Sequence, residues 1–409
     1  MDGTLKITPN PDPLEGSAVL EWTIKAPAVG EVCLAEDGGE EKVVCRGRSG
    51  SSPVAGLRAG CNYIFRLYSK AEPRQLLDER AMQQADIPWA RILERLKGAP
   101  RDRVYNDQLA ELLAQVLPFC LRRKEFGRWF KLWEAHGAHV SRVHFYEPIP
   151  DSRALPERLW ERSQDLVGFD LNEKSQLHFL REVLPRYQAE YEQIPLGQSE
   201  AGEGEFYFPN GRFDGLDAII AYCIIRHFGP RQIIEVGSGF STLLLARAAR
   251  ANGATTLDCI EPYPVDFLRA GVDGVNSLRT EKVEEVPLAE FDRLAAGDVL
   301  FIDTSHVVRT GGDVNHLYLQ VLPRLRPGVL VHIHDIFLPF EYPRDWIMED
   351  RRFWTEQYLL QAFLIGNTGF EVLVGTAYLS HFHGAELARR LPQAEPGRGG
   401  SFWMRRKKE

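Results

Sequence analysis

A chain of 409 residues, 44% hydrophobic and 26% charged, has room for two or three domains with sizeable cores. Its net charge of -8 argues against a general nucleic-acid binder, which usually shows a basic face, and no apolar run reaches the roughly 18 residues of a membrane span. Met1-Asp2-Gly3-Thr4 lacks a secretory leader pattern, and the six cysteines (33, 45, 61, 120, 223 and 259) form no C-x-x-C pair, so a cytoplasmic protein without a disulfide framework or zinc site is expected.

Residues 1–70 read as a small all-β sandwich. Apolar or alternating runs recur at 18–24, 31–34, 42–45 and 62–67, separated by Asn10-Pro11-Asp12-Pro13, Asp37-Gly38-Gly39 and Gly50-Ser51-Ser52-Pro53. The stretch 56–68 looks like the closing hairpin of a fibronectin type III-like module. Such modules bind or space, so this region is expected to dock a protein partner or a second copy.

Residues 71–165 read as a helical connector. Leu76, Leu77, Ala81 and Met82 fall at helical spacing, as do Ile92, Leu93 and Leu96, and then Leu109, Leu112, Leu113, Val116 and Leu117. Phe126, Trp129, Phe130 and Trp133 read as a packing face. In His144-Phe145-Tyr146-Glu147-Pro148-Ile149-Pro150-Asp151 two prolines fix an extended backbone. It is either a pocket rim, which would make Tyr146 a substrate contact, or a rigid linker.

Residues 166–392 alternate strands and helices, which predicts a doubly wound, mostly parallel α/β sheet. An amphipathic helix runs over 160–192, a short strand or turn over 206–210, and a further helix over 216–228. Asn210 and Asp217 lie beside that helix start. The apolar run Ile233-Ile234-Glu235-Val236 breaks into Gly237-Ser238-Gly239 and a helix from Leu243. Two glycines let backbone approach a ligand, and the new helix offers unpaired N–H groups. The dinucleotide fingerprint G-x-G-x-x-G fails at its last glycine, where Thr242 stands, and Glu235 disfavours a pyrophosphate. Glu261 ends the next apolar segment, where a carboxylate can accept both ribose hydroxyls. Segment 281–286 could edge the same pocket. Apolar strands at 298–303 and 329–335 follow, and 371–374 with 375–379 read as a final antiparallel pair. Residues 393–409, ending in Arg405-Arg406-Lys407-Lys408, read as a flexible, solvated basic tail.

Glu235-Val236-Gly237-Ser238-Gly239 followed by an acid after the second strand resembles the class I S-adenosylmethionine-dependent methyltransferases. Residues 143–383 resemble more closely a bacterial group of methyltransferase-domain proteins, through HFYEPIPD, EVGSGFST, FIDTSH and HIHDIFLPFEYP. The resemblance implies a Rossmann-like domain with Glu235, Gly237, Ser238, Gly239, Ser241, Glu261 and Asp303 around the cofactor, and a helix edge at its methionine end, which makes Asn210 and Asp217 candidates for cofactor contact or site closure.

Parallel strands place Glu235, Asp303 with His306, and His334 with Asp335 along one edge. Methyl transfer from a sulfonium needs alignment, exclusion of water and removal of the acceptor's proton. His306 and His334 suit that last task, with Asp335 orienting a ring; alternatively these rings only bond loop backbone. A divalent magnesium or manganese ion at Asp303, His334 and Asp335, with Asp313 in reserve, is a competing arrangement. Neighbours on a strand point opposite ways, which counts against it. Residues 337–346 suit a substrate wall that includes Tyr342, and Glu356, Gln357 and Tyr358, which open the next helix, are candidates to contribute to it. The expected activity is O-methylation of a sugar, glycan or small natural product. An inactive methyltransferase-fold scaffold and an NAD-dependent oxidoreductase are the alternatives.

Overall fold

The computed structural model describes residues 2–10, 17–25, 29–58, 61–70, 73–83, 103–121, 126–161, 163–202, 204–391 and 399–407. They fall into two compact units, 1–140 and 141–409. Among them, no helix is long and apolar enough to cross a membrane.

The first unit holds two antiparallel sheets. One is ordered β1 (Gly3–Pro9), β2 (Ala18–Ile24), β5 (Ser49–Val54); the other is β4 (Lys42–Gly47), β3 (Gly30–Glu36), β6 (Asn62–Ser69), β7 (Gln75–Gln83). Alternate residues of β2 (Ala18, Leu20, Trp22, Ile24) and β6 (Tyr63, Phe65, Leu67) are buried in one core, as period-two patterning requires. The expected helix around Leu76, Leu77, Ala81 and Met82 is instead strand β7. Its backbone pairs with β6, and its polar residues clip it to β1: Leu5 N donates to Asp78 Oδ2 at 2.8 Å and Arg80 Nε to Leu5 O at 3.0 Å. Helices α1 (Arg103–Leu121) and α2 (Phe126–Ala135) follow, on the apolar spacings read from the sequence, although Leu112, Leu113 and Val116 of α1 stay largely exposed. The Ile92, Leu93 and Leu96 pattern lies outside the described residues.

The second unit is built on a seven-stranded sheet, ordered β10 (Ser277–Arg279), β9 (Thr256–Ile260), β8 (Gln232–Val236), β11 (Val299–Ile302), β12 (Leu330–Ile333), β14 (Phe402–Arg406), β13 (Phe370–Gly375). The five strands from β10 to β12 are parallel, and β14 runs antiparallel between β12 and β13. Both faces are covered, so the central strands β8, β11 and β12 are buried almost throughout rather than on alternate residues. Ile233, Leu257, Val299 and Phe301 pack towards α3 (Gly215–Phe228) and α4 (Phe240–Asn252). Ile234, Leu300, Ile302 and Val331 pack on the other face, with Leu360 and Leu364 of α5 (Glu356–Leu364). Strand order reverses between β8 and β11, which opens a crevice at the carboxyl ends of the strands.

Three expectations fail here. The solvated tail is wrong for 402–406, which form β14. Phe402, Trp403 and Met404 are 1%, 0% and 0% exposed, and Arg405 donates to Glu371 at 2.8 Å. Burial of three large apolar side chains outweighs the basic stretch that follows them. Consequently β13 pairs with β14, and 376–382 form α6 (Thr376–Phe382) rather than a strand. The 160–192 helix is also broken. Helical turns run from Glu173 to Tyr191, but their register changes from wide to tight around Pro185, which has no N–H to donate.

Candidate active site

At Gly237 φ is +82°, and a Cβ there would lie 1.6 Å from the Asp303 carbonyl oxygen. Only glycine lets the loop after β8 lie on the loop after β11. Glu235 does not face this loop's open side. It is 0% exposed and accepts hydrogen bonds from Ser241 Oγ (2.7 Å) and Thr242 Oγ1 (2.6 Å). Glu235 and Ser241, expected around the cofactor, therefore tie β8 to α4 beneath the loop. Burial pushes the Glu235 carboxyl up to about 7, with the hydroxyl bonds opposing. Gly239 N donates to Thr242 Oγ1 at 3.0 Å, so the threonine at the position of the missing glycine closes the turn with its side chain.

Two crevices open above the sheet. The first, about 550 Å³, is lined by Gly237, Glu261, Tyr263, Lys282, Asp303 and Ser305, among others. Glu261 stands at its edge as its position after β9 predicts, and accepts Ser238 N (3.2 Å) and Tyr263 N (2.7 Å). The expected 281–286 edge is present through Lys282, Val283 and Glu284. The second crevice, about 820 Å³, is lined by Phe208, Arg212, His334, Asp335, Phe337, Trp346 and Arg352, among others. Asp303 lines both.

At that shared wall His306 Nε2 lies 3.2 Å from Asp303 Oδ1 and 3.4 Å from Asp335 Oδ2, while Nδ1 lies 2.9 Å from Glu356 Oε2. His306 is 5% and Glu356 0% exposed. Left-handed φ values of +58° at His306 and +56° at Asp335 turn both residues off their strand directions. The turn at Asp335 removes the objection to its sharing a site with His334: β12 ends at Ile333, and both residues line the second crevice. Burial opposes a charge on His306, but Asp303 and Glu356 outweigh it and raise the imidazole well above its usual range. His334, edge-on to Phe213 at 5.1 Å, is likewise raised against burial by Asp335, Asp303 and Asp217. Asp303 is the converse, held down to about 2 by His334 and His306 against the cost of burial. Asp335 is raised by burial, with the Asp303 charge adding to it.

The atoms Asp303, His306 and Asp335 offer lie within 4.8 Å of one another, a spacing one cation could bridge. This is not the set read from the sequence. His306 replaces His334, and Asp313 accepts Ser305 N (2.9 Å) and Oγ (2.6 Å) instead.

The proposed substrate contacts fare less well. Tyr146 is 84% exposed and lines neither crevice. Asn210 organises its loop: Nδ2 donates to Tyr207 O and Phe213 O, and Oδ1 accepts Arg212 N and Phe213 N. Tyr342 is fully buried, with its hydroxyl accepting Gln357 N at 3.1 Å. Asp217 lines the second crevice but is engaged by Thr376 Oγ1, Gly400 N and Ser401 N. The sequence offers Glu356 as a contributor to the substrate wall, not as a partner of His306, and assigns no role to Arg212, Arg352 or Gly400. The one available signal was Gly399-Gly400, a close backbone approach in which a Cβ at Gly400 would meet Asp335 Oδ1 at 3.2 Å.

Residues 234–336, the span from β8 to just past β12, match a family described as a methyltransferase domain. A protein of Archaeoglobus fulgidus, described only as uncharacterized, is 33% identical over 162 residues, 37% of this chain and 72% of its own. The twitchin kinase region from C. elegans aligns at 17% identity and a TM-score of 0.15 over 17% of this chain; the chain spans 14% of that structure, and the likeness carries no argument. Sheet order, switch-point crevices and family match thus define a protein with a methyltransferase domain. The chain belongs to the same family as the archaeal protein.

Proposed function

We propose that the chain is an S-adenosylmethionine-dependent methyltransferase acting on a hydroxyl of a small molecule. The observation that carries this reading is the pair of crevices meeting at Asp303, one for a cofactor and one for an acceptor. The first crevice fits the cofactor's nucleoside end: Glu261 stands where ribose hydroxyls would be accepted, Gly237 keeps the floor free of side chains, and Tyr263 adds an aromatic wall. When bound, S-adenosylmethionine supplies an electrophilic methyl group.

The chain's own task is to orient the acceptor and take its proton. His306, bracketed by three carboxylates, holds its own proton and is poorly suited to take another. The pair Asp303 and Asp335 is pushed apart in proton affinity, which separates their roles. Asp303 stays ionised and fixes the two imidazoles, and Asp335, with the higher affinity, is the general base. His306 is then a positioning residue rather than the base expected from the sequence. His334, which faces the same crevice, orients the acceptor.

Calorimetric titration with S-adenosylmethionine and with its demethylated product tests the reading. Micromolar binding is expected, weakened at least about tenfold in a folded Glu261→Ala variant. Absence of binding in folded protein sinks the enzyme and leaves a scaffold. Asp335→Asn is expected to keep cofactor affinity and lower transfer by about a hundredfold or more, the usual range for losing a general base.

A further inference from the structure

We propose that the acceptor is a small hydroxylated anion, a carboxylic acid or phosphate ester whose negative group is held by Arg212 and Arg352 while its hydroxyl meets Asp335. This deepens the methyltransferase reading and rests on it. Arg212 and Arg352 both line the second crevice, whose floor is acid and imidazole. Arg352 is preorganised: its guanidinium lies 4.7 Å from the Trp346 ring centroid and 5.5 Å from that of Trp354, and its backbone N–H donates to Trp346 O at 2.8 Å. Its counter-ion Asp350 is at 3.2 Å on an exposed pair, which an incoming anion can replace at small cost. Arg212 has no ion pair among the described residues, and Asn210 Oδ1 pins its backbone N–H at 2.9 Å.

Four carboxylates also line this crevice, and they do not cancel the arginines. Asp214 is turned to the backbone N–H groups of Asn210 and Gly211, and Asp217 to those of Gly400 and Ser401. Asp303 and Asp335 are faced by His306, with His334 beside them. What remains free to meet a ligand is a compensated floor and two cations, and a planar guanidinium matches carboxylate or phosphate oxygens. Phe208, Phe337 and Trp346 supply apolar wall for the carbon skeleton between the two ends.

The test titrates the full chain with inorganic phosphate, glucose 6-phosphate, glucuronate and glucose, read by tryptophan emission, because Trp346 and Trp354 lie under Arg352. Saturable change is expected with the anions and at least tenfold weaker response with glucose, about the discrimination one charge-assisted contact provides. Phosphate ester against carboxylate separates the two sources of charge. Arg212→Ala and Arg352→Ala should each weaken anion binding about tenfold. Arg212 is exposed, so its variant is the one expected to fold unchanged. Equal response to glucose, no saturation with any anion, or full anion affinity in Arg212→Ala overturns the proposal. Calorimetry with S-adenosylmethionine on the same preparation separates the readings. Anion binding without cofactor binding refutes the methyltransferase and leaves an anion site.

Discussion

A carboxyl group with no exposure, bonded to two hydroxyls, keeps its proton longer than one in water, and Glu235 shows what this does to the molecule. Its folded value of about 7 lies above the ordinary 4.5. The folded state therefore binds the proton more tightly, so this stability is complete below about pH 4.5 and is lost as pH rises towards 7. The difference corresponds to about 3 kcal/mol. Urea unfolding at pH 5 and pH 8 is expected to show that loss in the wild type and not in Glu235→Gln, relative to each other. Equal pH dependence in the two proteins would mean that Glu235 is ionised throughout. At Glu356 the consequence has the same sign, through a base rather than an acid. This carboxylate helps raise His306, whose charge stabilises fully below the ordinary imidazole range and ceases to do so as pH rises through the raised value. In Glu356→Gln the His306 ring signal in proton NMR is expected to titrate at lower pH than in the wild type. An unmoved titration would sink Glu356 as a positioning residue.

At the scale of elements, what pattern and spacing could reveal is separable from what only packing decides. The β8 strand, its glycine loop and Glu261 were legible because local chemistry demands them: a buried strand, a turn with positive φ, an acid at the next strand end. Asp303, His306 and Asp335 were legible as strand-end neighbours, but Glu356 was not, because it reaches them across fifty residues through a side-chain bond. Leu76-Leu77 and Ala81-Met82 fit either a helix or a bulged strand, and pairing with β6 settled it. The inserted strand β14 was hidden because a five-residue run whose last two residues open a basic stretch looks like a terminus. Its partners β12 and β13 lie far back in the sequence. Trp403→Ala is expected to cost about 4 kcal/mol, since it empties a fully buried site in the sheet. A thermal or urea midpoint unchanged from the wild type would contradict the placement of β14.

The whole molecule divides its labour between its two units. Leu20, Trp22, Phe65 and Leu67 belong to the core of the first, whereas both crevices are lined wholly by residues between 196 and 400. The second unit also holds its own cores on both faces of the sheet. A unit with a core of its own can fold alone, and binding that uses only its residues should survive separation. Residues 141–409 expressed alone are therefore expected to bind S-adenosylmethionine within about twofold of the full chain, by calorimetry. A loss of tenfold or more would show that residues 1–140 help build the cofactor site. Retention would place residues 1–140 outside cofactor binding. Sedimentation of the two chains side by side would then tell self-association from the monomer.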